Sequence, residues 1–172
     1  MPMAARSRTA PLEDASALLE EPARLRERAA TDGYLFLPGL LTARTLAPTR
    51  RAVVEVAREH GLMDADERPI EAGFVSEWRD SPRFRAYYPD ILQIAAFHRL
   101  AVDAALRRVL ETLFAERTLA HPRNILRTVF PGHPEITTDP HQDHRPVKGS
   151  PVTWTAWIPL SDRPPELGRL AP

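Results

Sequence analysis

The feature that most constrains the fold of this chain is a change of hydrophobic period at Pro122. From Asp90 to Arg117, Ile91, Ile94, Phe97 and Leu100, then Leu106, Val109, Leu110, Leu113 and Phe114, recur every three or four positions. That spacing lines one face of an α-helix, and a break near Arg99 divides the stretch into two. Beyond Pro122 the pattern ends. Asn124 to Phe130 reads as a strand, Pro131-Gly132 as a turn, and Val152-Thr153-Trp154-Thr155-Ala156-Trp157-Ile158 is rich in β-branched and aromatic residues. Helices first and strands last argue for an α+β fold whose sheet is assembled late in the chain.

Upstream, Pro11 to Ala30 is rich in Ala, Leu, Glu and Arg and is interrupted by Pro22, so residues 1–31 read as a helical N-terminal extension. Asp32-Gly33 is a turn signal leading into the apolar run Tyr34-Leu35-Phe36-Leu37, a buried-strand candidate closed by Pro38-Gly39. A helix comes next. Thr42 is placed to cap it, Leu46, Val53 and Ala57 share a face, Gly61 suits the left-handed position past its end, and His60 lies against its C-terminus. Asp64 to Arg68 reads as a polar loop and Gly73 to Trp78 as a short strand, while Ser81-Pro82 and Tyr88-Pro89 punctuate the stretch before the next helical run. Residues 32–172 form the rest of a single domain.

Composition excludes several classes of function. Twenty-three basic residues balance 23 acidic ones, which gives no electrostatic reason to expect nucleic acid or an anionic membrane as partner. No apolar run approaches the ~18 residues of a membrane span, and the first ten residues lack the apolar core of a signal peptide. The expected setting is cytoplasmic, with a small molecule as substrate. The absence of Cys rules out disulfides, thiolate nucleophiles and thiolate metal sites, so a metal would rest on His and carboxylate ligands.

Such a pair exists. In Asp139-Pro140-His141-Gln142-Asp143, a strand would project residues i and i+2 from one face, aiming the His141 imidazole and the Asp143 carboxylate at one point. Two His and one carboxylate on one face of an octahedron leave three adjacent positions for a bidentate cosubstrate and dioxygen on ferrous iron. A pair this short arises readily by chance, so its surroundings must discriminate.

Those surroundings resemble a known family. The run Thr138 to Asp143, then Gly149-Ser150-Pro151, Trp157-Ile158-Pro159-Leu160-Ser161-Asp162 and Glu166-Leu167-Gly168-Arg169-Leu170, is similar to the phytanoyl-CoA dioxygenase family, as is the opening Asp32 to Leu41. The resemblance implies a double-stranded β-helix, or jelly roll, preceded by helices. It also implies Fe(II) as cofactor, 2-oxoglutarate as cosubstrate, and hydroxylation of a small organic substrate by dioxygen. It makes His141 and Asp143 iron ligands and places Trp157 beside 2-oxoglutarate.

The family pattern also requires a distal His and, shortly after it, an Arg that pairs with the far carboxylate of 2-oxoglutarate. No His follows His144, and Arg145, Arg163 and Arg169 come too early to match. The expectation is therefore an N-terminal portion of a dioxygenase domain, with an incomplete jelly roll and no activity alone. The alternatives are an inactive truncated product, or an interaction module that completes its sheet by strand exchange. The remaining candidates have plainer readings. His144 and His133 suit solvated loops, His98 and His121 lack a carboxylate at ligand spacing, and Arg127 suits a strand edge. Trp154 and Trp157 would face opposite sides of a strand.

Overall fold

The computed structural model describes residues 11–63, 81–128, 150 and 152–161. Among them a 3-10 turn, Ser16–Leu18, precedes the helices α1 (Pro22–Asp32), α2 (Ala43–Glu59), α3 (Pro82–Ile91), α4 (Ala95–Leu100) and α5 (Ala104–Phe114). The described residues fall into two compact units. One takes those within Met1–Leu41 and Ala104–Thr118, the other those within Thr42–Asp103 and Leu119–Asp162.

In the first unit α1 begins at Pro22, where a fixed φ suits the first helical turn and the missing N–H has no intrahelical partner to lose. It ends at Gly33, whose φ of 75° puts it in the left-handed region and whose N–H bonds the Ala29 carbonyl at 3.0 Å. Leu25 and Ala29 are buried on α1 and Val109 on α5, and these two helices pack together. The Arg26 guanidinium reinforces the contact by donating to the Thr112 carbonyl at 2.9 Å. Arg28 pairs with Glu13 and Asp32. The Asp14 carboxyl is held below its usual pKa first by the Ser16 side chain and then by the Ser16 N–H, which its carboxylate accepts at 2.8 Å.

The second unit is built on α2, which packs against α3 and α4. Thr42 caps α2 as its sequence suggests, its side-chain oxygen accepting the Thr45 N–H at 3.2 Å. Val53 and Ala57 are buried on the expected face, whereas Leu46 is half-buried. Gly61 adopts φ 64° just past the end. Helix α3 starts with Ser81 as cap, its hydroxyl accepting the Phe84 N–H at 3.1 Å, and with Pro82 at the first helical position. The Ser-Pro pair thus opens a helix, and Pro89 is carried inside it. The core joins Val53, Ala57, Leu62, Met63, Tyr87, Ile91, Ile94 and Leu126, with Phe84, Tyr88, Phe97 and Leu160 packed around it. The break near Arg99 falls at residues 101–103, between α4 and α5. A second break, at residues 92–94, separates α3 from α4.

The expected α+β fold with an incomplete jelly roll is corrected by this architecture: the described residues contain helices and no β-strand. The run Tyr34 to Leu37 contributes a single isolated parallel bridge between Asp14 and Phe36, in which the Ala15 N–H bonds the Phe36 carbonyl at 2.8 Å. Residues 124–128 and 152–158, both expected as strand, are described without regular structure. A strand exists only through the ladder it shares with a neighbour, and β-branched composition cannot supply one. Local bonds occupy the start of the second segment instead. Ser150 accepts the Val152 N–H on its hydroxyl at 3.1 Å and the Thr153 hydroxyl on its carbonyl at 2.6 Å, the kind of side-chain pairing that competes with ladders. The strand expected at Gly73 to Trp78 lies outside the described residues. No helix among the described residues is long and apolar enough to cross a membrane.

Candidate functional site

His141 and Asp143 lie outside the described residues, as do His133 and His144. Among the residues that are described, no three His, Asp or Glu side chains stand together as a metal-binding group. Trp157 is described, 47% exposed, in a segment that joins the core only through Leu160 among the described residues. Trp154, three residues earlier, is half-buried.

In the second unit, one group of titratable side chains that the fold brings together lies along α3. The His60 Nε2 sits 2.8 Å from an Asp90 carboxylate oxygen, and the His60 ring meets the edge of Tyr87 with centroids 6.0 Å apart. Tyr87 is fully buried, and its hydroxyl shares a 2.9 Å hydrogen bond with Thr128. Burial pushes the Tyr87 phenol above its usual pKa of 10.0, opposed in part by the Thr128 hydrogen bond, so this group is a neutral structural anchor at ordinary pH. The sequence suggests that His60 lies against the end of α2. The structure instead turns its ring toward Asp90 on α3, leaving its backbone N–H to bond the Val56 carbonyl. Spacing within one helix carries no information about a partner thirty positions away.

His98 is held from both sides. Its Nε2 lies 2.7 Å from the Leu92 carbonyl, which can only accept, so Nε2 carries the proton. Its Nδ1 lies 3.3 Å from the Asn124 amide nitrogen and receives that N–H. Both ring nitrogens are thus committed to tying α4 to the segment after Pro122, which fits the plain reading of His98 and not a ligand role. His121 likewise accepts the Arg123 N–H on Nδ1 at 3.1 Å, a local turn. Sequence reasoning does not find Thr49. It is a buried polar residue of α2, and its hydroxyl has no hydrogen-bond partner among the described residues. The nearby signal is Pro48, a proline inside a helical pattern.

Comparison with protein-family models, with curated proteins and with solved structures finds no match to this chain.

Proposed function

We propose that the chain supplies His141 and Asp143 as two protein ligands of Fe(II) in a 2-oxoglutarate-dependent dioxygenase acting on a small organic substrate. The observation that carries this reading is the sequence run itself, His141-Gln142-Asp143 followed by Trp157-Ile158-Pro159-Leu160-Ser161-Asp162 in the family's order. Iron with 2-oxoglutarate and dioxygen would supply oxidation of a C–H bond. The chain's own part is to hold an imidazole and a carboxylate two positions apart, and to offer the Trp157 indole as an apolar surface for the cosubstrate. The test is anaerobic Fe(II) titration of the full chain with and without 2-oxoglutarate, repeated on His141→Ala and Asp143→Ala. Cosubstrate-dependent binding that weakens about tenfold or more in both variants is expected. Binding indifferent to 2-oxoglutarate and to both substitutions would sink the proposal.

One observation favours a second reading, an interaction module that completes a sheet with another chain. Ile125, Val152 and Trp157 are all exposed, and all lie in segments with strand-like composition and no strand among the described residues. Light scattering after size exclusion separates the two. A monomer across the accessible concentration range disposes of exchange between copies.

A further inference from the structure

We draw no further inference here: the strongest candidate, the largely apolar groove of the first unit between α1 and α5, walled by Leu19, Leu25, Leu40, Ala105 and Val109, carries nothing because nothing in the structure shows what covers it.

Discussion

Two regions of the second unit meet the same core on different terms. The helices α2, α3 and α4 bring Val53, Ala57, Tyr87, Ile91 and Ile94 into it, and capping side chains at Thr42 and Ser81 close the N-terminal ends of α2 and α3. The segments at 119–128 and 152–161 each seat one residue there, Leu126 and Leu160, while Leu119 is 93% exposed and Val152 64% exposed. The difference stems from where backbone hydrogen bonds are made. A helix satisfies its own N–H and C=O groups four residues apart, so an amphipathic sequence is sufficient to form and dock it. An extended segment depends on whatever lies beside it.

Tyr87 is the sharpest place to break this contrast. It is fully buried, touches His60 and Phe84 through ring contacts, and bonds Thr128. Tyr87→Ala should cost about 3–5 kcal/mol in urea unfolding followed by far-UV circular dichroism, the range for removing a buried aromatic ring. Trp157→Ala, with nearly half its surface already in water, should cost less than about 1 kcal/mol. Equal costs would mean that the extended segment is as firmly packed as the helices, and the contrast would fail.

The backbone at Gly61 gives the next largest effect. Its φ of 64° carries the chain from α2 to the buried Leu62, whose N–H bonds the Ala57 carbonyl at 2.8 Å. A Cβ there would meet nothing within 4 Å, so the cost of Gly61→Ala is conformational alone. It should be about 1–2 kcal/mol by the same unfolding measurement, the penalty of the left-handed region for a residue with a Cβ. A neutral substitution would mean that the turn relaxes freely and does not fix the end of α2.

Tyr87 also sets a pH dependence. Its phenol has a raised pKa in the folded state because burial disfavours the phenolate. In the unfolded chain it ionises near pH 10 while the buried group stays protonated, so its contribution is complete below that pH and is lost as pH rises through the folded value. Tyr87→Phe, which removes the hydrogen bond to Thr128, should cost about 0.5–1.5 kcal/mol at neutral pH. That deficit should shrink or reverse from about pH 10 upward. A deficit constant from pH 7 to pH 11 would show that the phenol is not shielded.

The legible and illegible parts of the sequence divide along the same line. Thr42, Gly61, the buried positions Val53 and Ala57, and the division of the helical stretch near Arg99 are readable because caps and helical spacing are local properties. Ser81-Pro82 reads as an interruption, although a serine before a proline equally suits the helix start that the structure shows. The strands mislead because composition reports what a sheet would tolerate and not whether a partner strand is present. His60 with Asp90, Tyr87 with Thr128 and His98 with Asn124 are invisible in the sequence, since each joins residues from 26 to 41 positions apart. The iron-ligand reading of His141 and Asp143 comes from motif order alone, and its test lies in metal titration.

The smallest expected effect on stability, and the most discriminating for the extended segments, belongs to their exposed apolar residues. Val152→Thr and Leu119→Ser remove apolar surface that already faces water, so each should change the unfolding free energy by less than about 0.5 kcal/mol. Concentration dependence is where they would act. If these segments complete a sheet between copies, the wild type should show a mass that rises with concentration, and Val152→Thr should lower that mass, since an exposed apolar strand edge drives pairing. Helix-surface substitutions of similar size, such as Arg107→Ser on α5, should leave it unchanged. If Val152→Thr instead destabilises the monomer and leaves association as it was, residue 152 is engaged within its own chain, and the two regions differ less than their exposures indicate.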